Sequence, residues 1–547
     1  MYKKFDIFFS RHEFFLPILI FVLFLCASLP GIEWGAPALW NPDELVWRVD
    51  SALRGELIFD KTEPDFNYPS LPKYVMYAIG SITYGLGKSD FAFIVSARIF
   101  SSILGALGGV LIYYLARLIG ADKSVSTLSG ILYILGGIAV ANGRLAHNDL
   151  YLQFFTILCV YFIIKYQHTK VNRWLYSSFL FVGFATSSKY TGGSLLFLPL
   201  IVYIAMNWQE IRTKWLSMLM TLFLGGMVAF AGYVIGTPRS LADPINYFLN
   251  IMTVLDNLRS YGFNSGSSIG LFGQWGVLES AVGIFCYYLF IISFIWFSTK
   301  LMLWKMGKVS IEKTTTQAIS VFILTLLIFD LPYLISINYV ERYFIPFVPF
   351  LAIMAALFLK DILDLTNARN WKFVQPVIIF IFSAGIIYST LRLVSISLLF
   401  MNDARIPASE YIDDMRGYGV SIEYTLYPPT IEKRKFERAH NYPIYFVEWI
   451  DDTVPSGGRY EYNQGEKGLL DRDTDYFVID SFTYERFYTD SICETTPVEC
   501  DFFKRLIAGQ VTNFRLLKSF TYELPPFLPH VALSAVNPDV LIFERVR

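Results

Sequence analysis

Charge is what this chain has least of. Only 17% of its 547 residues are Asp, Glu, Lys or Arg, against about 25% in an ordinary soluble domain. A net charge of −1 removes any case for nucleic-acid binding. Cysteine is sparse as well, with 5 in the chain, which excludes a disulfide-framed secreted miniprotein. No internal repeat is visible, and no small-residue cleavage pattern follows the first apolar run, so that run reads as a spanning helix rather than a removable signal. What fills the space is apolar: 54% hydrophobic, 17% aromatic, mean hydropathy +0.45. A polytopic α-helical membrane protein is the class that fits.

Hydropathy gives about eleven spans, near 14–30, 91–119, 124–142, 148–166, 174–188, 191–206, 215–236, 276–298, 317–337, 343–360 and 374–400. The segment 68–86 is apolar too, but Pro69, Pro72 and several tyrosines suit a helix at the interface. Basic residues fall on alternate loops: Lys3, Lys4 and Arg11; Arg117 and Lys123; Lys165, Lys170 and Arg173; Arg212 and Lys214; Lys300 to Lys313; Lys360, Arg369 and Lys372. The positive-inside rule makes those loops cytoplasmic. The N-terminus is then inside, and everything after Met401 is outside the inner (cytoplasmic) membrane. Cys493 and Cys500 lie in that exported tail, where an oxidising compartment lets them pair. The tail itself, 401–547, turns polar and reads as a small soluble α/β domain, with strands in "TDYFVIDS" and "PDVLIFERVR". Residues 1–400 form the membrane domain.

On this topology one face of the membrane collects the polar side chains. The first loop, 31–90, is long for a membrane connection, and such loops are commonly functional. Within "LWNPDELVWRVDSALRGE", Asn41 suits a helix N-cap, Pro42 its first position, and Asp43 and Glu44 its first turn. Leu45, Val46, Val49 and Leu53 recur on one side, so an amphipathic helix lying on the leaflet is expected. The plain explanation is that the acids complement the helix dipole; the chemical one is an ionised carboxylate ready to take a substrate proton. "RLAHNDLYLQFF" adds Arg144, His147 and Asp149 to the same face, where an Arg144–Asp149 ion pair would be the structural account. "SSKYTGG" adds Lys189, with Gly192 and Gly193 allowing close backbone approach, and "YVERYFIPF" adds Arg342 and Tyr343. Asp330, before Pro332, either bends its helix or faces a substrate groove.

These motifs, with "SDFAFIVSARIFSSILGALGG" and "RYFIPFVPFLA", occur in the order seen in the GT-C membrane glycosyltransferases. Over roughly residues 10–400 the chain resembles the branch that holds protein O-mannosyltransferases and aminoarabinose transferases. The resemblance implies a GT-C fold with about eleven helices and transfer of a sugar, generally with inversion, from a polyprenyl-phosphate donor. The acceptor would be a glycan, lipid or protein at the outer face. The family's acid in the first outer loop falls on Asp43, the general base, with Glu44 its neighbour, tuning or binding. Lys189, Arg342, Tyr343 and Arg144 match positions suited to the lipid phosphate. Asp149, joined by His147 and Asp43, matches a position that holds a divalent ion such as Mg, Mn or Ca in some relatives. The chain departs from the aminoarabinose branch at "NYPS", residues 67–70, where that branch carries "EKPP". The competing reading is a transporter or flippase of a lipid-linked glycan. That class favours mid-membrane ionisable groups and repeats, which this chain lacks.

Overall fold

A computed structural model describes residues 14–46, 68–249, 251–252, 270–309, 312–335, 340–371, 373–415, 419–442 and 465–547. The chain is a multi-pass membrane protein, helical up to Met401, followed by a small mixed α/β unit. The helices are α1 (Phe15–Ser28), α2 (Leu71–Gly85), α3 (Asp90–Leu118), α4 (Lys123–Leu135), α5 (Ile138–Asn142), α6 (Asp149–Thr169), α7 (Asn172–Ser188), α8 (Phe197–Met206), α9 (Ile211–Gly236), α10 (Gly270–Val282), α11 (Ile284–Lys305), α12 (Lys313–Asp330), α13 (Val348–Ala368), α14 (Val374–Met401) and α15 (Arg405–Asp413). Among the described residues, 6 helices are long and apolar enough to cross a membrane, and shorter apolar ones include α1 and α4.

Two runs that hydropathy reads as single spans are each broken in two. The run at 124–142 breaks at Gly137 (φ +78°) and that at 276–298 at Gly283 (φ +77°). One side chain explains both breaks. The Arg392 guanidinium passes between them and donates to the carbonyls of Gly136, Ser280 and Ala281 at 3.1, 2.7 and 3.0 Å. A Cβ would lie 2.6 Å from Arg392 at either glycine. Carbonyls at the two helix breaks surround a charge that lipid would reject.

Small residues let α7 and α9 touch backbone to backbone. A Cβ on Gly183 would sit 2.1 Å from the Ala229 carbonyl oxygen, and one on Gly232 2.6 Å from that of Leu180. Close approach of this kind is how helices associate where no hydrophobic effect operates. The chain then turns back on itself through a 3₁₀ segment, Tyr190–Leu196. A Cβ on Gly192 would meet the Ala185 carbonyl at 2.5 Å, whereas one on Gly193 makes only ordinary contacts. Gly192 is thus the glycine that brings the chain close after Lys189.

Among the described residues beyond Met401, five strands form one sheet in the order β2-β1-β3-β5-β4. They are β1 (Ser421–Tyr424), β2 (Arg438–Asn441), β3 (Tyr476–Asp480), β4 (Phe514–Phe520) and β5 (Val540–Arg545). β1 runs parallel to β2 and β3, while β5 is antiparallel to β3 and β4. The strands expected in "TDYFVIDS" and "PDVLIFERVR" are β3 and β5. Phe477, Phe502 and Phe503 fill one side of the sheet; α15 covers the other through Ala408 and Ile412. Cys493 and Cys500 are disulfide-bonded.

Candidate active site

The acids of the first loop part company at once. Glu44 is fully buried, and Arg98 grips it with two hydrogen bonds, Nε to Oε1 at 2.8 Å and Nη2 to Oε2 at 2.7 Å. The amide of Ala146 donates to Oε1 at 2.8 Å, and the next amide, Leu45, donates to the Ala146 carbonyl at 2.9 Å. Arg98 also donates to the carbonyls of Ile32 and Trp34. With its oxygens so occupied, Glu44 is a strut that ties the first loop to the turn before α6. The resemblance implies a tuning or binding role for Glu44, but its oxygens are turned to Arg98 and Ala146. Asp43, one residue earlier, is 37% exposed and pairs with Arg342 at 2.7 Å. Asn41 accepts a hydrogen bond from the Asp43 amide at 2.9 Å. The amphipathic helix expected to follow runs into 47–56, outside the described residues.

Around Asp149 the cations gather. Its Oδ1 accepts from Lys189 Nζ at 2.7 Å, its Oδ2 lies 2.7 Å from His147 Nδ1, and Arg342 Nε stands 3.9 Å away. Arg342 therefore lies between Asp43 and Asp149. The side chains come from three separate stretches. The α6 N-terminus supplies Asp149, and the preceding turn supplies His147, held by Asn148 donating to the Ser188 carbonyl at 3.0 Å. The C-cap of α7 supplies Lys189. A short 3₁₀ turn, Glu341–Phe344, supplies Arg342 and Tyr343. Lys189 Nζ sits 4.7 Å from the Tyr343 ring centre, and Tyr343 stacks on Tyr333 at 4.8 Å. Burial lowers the His147 pKa, with the Asp149 carboxylate opposing, so the imidazole is neutral at pH 7. Burial alone would weaken the Arg342 charge, but Asp43, Tyr68 and Asp149 hold its pKa well above the ordinary value.

Arg144 is not part of this group. It is fully buried and donates to the carbonyls of Pro30, Ala27 and Val140 and to Ser397 Oγ at 2.7, 2.6, 3.1 and 2.8 Å, over the Phe400 ring. It laces α1 to α14 and does not pair with Asp149. Asp330 closes α12, half-buried, three residues before Tyr333. The donor set around Asp149 does not suit a divalent ion. Its oxygens face an ammonium and an imidazole, with a guanidinium beside them, and a metal there would meet like charge. Among the described residues no three His, Cys, Asp or Glu side chains gather as ligands.

Sequence reasoning missed a second layer. Trp34 Nε1 donates to Asp403 Oδ2 at 2.9 Å, and Arg405 grips Asp403 through Nε and Nη2 at 2.9 and 2.8 Å. The Arg405 guanidinium lies over both Trp34 and Trp40 and donates to the Ala535 carbonyl at 2.8 Å. Asp403 also accepts from the Asn537 amide at 2.6 Å. This hub joins the loop carrying Asp43 to the last helix and to the C-terminal unit. From that unit come Tyr427 and Arg486, whose Nη2 is 3.5 Å from the Tyr427 hydroxyl. Burial raises the Tyr427 pKa, Arg486 opposes, and Asp43 is near enough to add to the rise. A lone arginine in an apolar run was the one available signal for Arg98; nothing in the sequence marked Arg405 or Tyr427.

Fold and site together define a helical membrane protein that gathers acids and bases at one end of its helices, beneath a small α/β unit. Residues 74–246 match the model of the dolichyl-phosphate-mannose-protein mannosyltransferase family, which bears out the resemblance read from the motifs. An uncharacterized protein of Aquifex aeolicus is 28% identical over 188 residues, 33% of this chain and 35% of that protein. The chain thus spans about a third of that relative's length. Among solved structures, ArnT from Cupriavidus metallidurans bound to undecaprenyl phosphate is similar over 95% of this chain and 97% of its own, with 14% identity and TM-score 0.49. Archaeal AglB from Archaeoglobus fulgidus, with an inhibitory peptide and a dolichol-phosphate, covers 88% and 71%, with 11% identity and TM-score 0.48. The S. cerevisiae Pmt1-Pmt2 complex bound to its sugar donor covers 41% and 33%, with 22% identity and TM-score 0.32.

Proposed function

We propose that this chain is a glycosyltransferase that moves a sugar from a polyprenyl-phosphate donor to a glycan, lipid or protein acceptor, with inversion, at the outer face of the inner membrane. The observation that carries the reading is Arg342 set between Asp43 and Asp149, with Lys189 on the far side of Asp149. In the transfer, the acceptor hydroxyl forms a bond to the anomeric carbon and gives its proton to Asp43. The bond from that carbon to the phosphate oxygen breaks, and the polyprenyl phosphate leaves with the electron pair. Arg342 and Lys189 are the cations that meet this growing charge, and fixed charges in a water-poor site act more strongly than in bulk. Arg342 leaves Asp43 open to the acceptor when it turns its donors to the phosphate. Asp149 keeps both cations in place when no donor is bound. The neutral His147 presents a ring nitrogen, Nε2, for which the described residues provide no hydrogen-bond partner, suited to a sugar hydroxyl.

The family match over 74–246 supports a sugar on a polyprenyl carrier. The Cys493–Cys500 bridge supports an oxidising, outward position for residues 401–547, as does the distribution of basic loops. The test is a panel of polyprenyl-phosphate sugars offered to the purified protein in nanodiscs, with released polyprenyl phosphate as the readout. Wild type is expected to release it from one member of the panel when acceptor is present, and Asp43→Asn to lose that release. Equal release by Asp43→Asn refutes the assignment of the base.

A further inference from the structure

Between β4 and β5 the chain leaves the sheet and runs back to the membrane helices. Tyr522 and Leu524 pack against the hydrophobic cluster that the helices share with the first loop, and Val531 and Val536 are buried in it. At its far point the Pro529 carbonyl accepts a hydrogen bond from Ser395 Oγ at 2.8 Å. Ser395 stands 6 residues before Met401, the last residue of α14, about 9 Å below the helix end at 1.5 Å per residue. With 28 residues, α14 is about 42 Å long, roughly 12 Å more than a hydrocarbon core. A centred helix overhangs by about 6 Å at each end, so Ser395 lies about 3 Å inside the acyl region. The outward residues of α14 agree: Val394 is 43% exposed and Met401 52%, so its apolar flank continues to the end.

The composition of this excursion suits lipid. It reads "PPFLP" from 525 to 529, and Phe527 is 77% exposed, more than any other large hydrophobic of the described residues after Met401. Three prolines have no backbone N–H to leave unpaired. Of the two remaining amides, that of Leu528 donates to the Pro525 carbonyl at 2.9 Å. Irregular backbone is excluded from hydrocarbon by its unpaired donors, and here most have been removed or paired. Glu523 and His530 flank the stretch, both exposed, as polar residues at headgroup level would be.

We infer that residues 525–529 dip into the membrane leaflet nearest the C-terminal unit, with Phe527 held among the acyl chains as a lipid anchor. The partner is the bilayer itself. The anchor, together with the Asp403–Arg405 hub, fixes the height of the sheet above the Asp43 loop, and it stands whatever chemistry that loop performs.

The test is a nitroxide on Phe527→Cys in the full-length protein in nanodiscs, with Cys26→Ala to remove the exposed free thiol. Accessibility to oxygen, which concentrates in acyl chains, is compared with accessibility to a water-soluble nickel chelate. Arg434→Cys, on an exposed turn of the C-terminal unit, is the aqueous reference. The expected result is an oxygen-to-nickel ratio several-fold higher at 527 than at 434. A ratio at 527 equal to that at 434 overturns the anchor. Should Phe527→Cys fail to fold, Pro526→Cys, exposed beside it, gives the same two readings.

Discussion

Asp43 and Glu44 are adjacent acids whose replacements should fail in opposite ways. Glu44 and Arg98 both have fully buried side chains. Glu44→Gln removes the charge that balances the guanidinium and leaves Arg98 uncompensated in the interior. Breaking a buried pair in this way costs about 3–5 kcal/mol, a fifth or more of a typical stability of roughly 5–15 kcal/mol. Asp43, by contrast, is 37% exposed, and its partner Arg342 still has Asp149 beside it when Asp43 is replaced. Asp43→Asn should therefore leave the fold nearly as stable as wild type. Loss of a general base lowers the rate by about 10²–10⁴-fold. The assay is thermal unfolding in nanodiscs beside release of polyprenyl phosphate. Glu44→Gln is expected to unfold early yet keep a near-normal turnover per folded molecule; Asp43→Asn is expected to do the reverse. The double variant Glu44→Gln with Arg98→Met removes the orphaned charge and should recover much of the stability. The reasoning is refuted if Glu44→Gln melts with wild type, or if the double variant melts no later than Glu44→Gln alone.

Arg342→Ala should weaken capture of the lipid phosphate by about 10- to 100-fold, the worth of a charge-assisted hydrogen bond, measured as the donor KM. Lys189→Met should act in the same direction and also loosen Asp149, seen as a lower melting temperature. His147 titrates with its pKa below the ordinary value of about 6.5. A depressed histidine contributes its stability fully above that value and loses it as pH falls through the lowered one. Melting of the wild type should thus drop below about pH 6.5, and His147→Gln should flatten the drop. Arg405→Ala removes the hub between Trp34, Trp40 and Asp403 and should lower kcat through misplacement of Asp43, with Arg405→Lys rescuing little because a lysine cannot grip Asp403 by a fork. Replacing Cys493 and Cys500 by serine should destabilise the C-terminal unit by about 2–3 kcal/mol on loop-closure grounds, read by protease resistance of residues 401–547.

The class of this protein was legible in the sequence, and so were several of the charged residues that the fold gathers around Asp149. Scarce charge and long apolar runs dictate a membrane protein, because a buried charge is costly in lipid wherever it falls. Alternation and turn residues dictated the strands at 476–480 and 540–545. The motifs named Asp43, Asp149, Lys189 and Arg342, and the match over 74–246 agrees with the family they resemble. Which charge meets which came from the folding of distant segments together. Local spacing suggested pairing Arg144 with Asp149, and the family resemblance made Glu44 a helper of Asp43. The fold instead gives Arg144 to the carbonyls of α1 and α5, and Glu44 to an arginine 54 residues away. It also breaks two apparent spans at Gly137 and Gly283 so that Arg392 can use their carbonyls. Hydropathy sums the cost of a residue against lipid, one position at a time. An ion pair or a carbonyl cage is a relation between distant positions, and only the folded chain brings them within 3 Å.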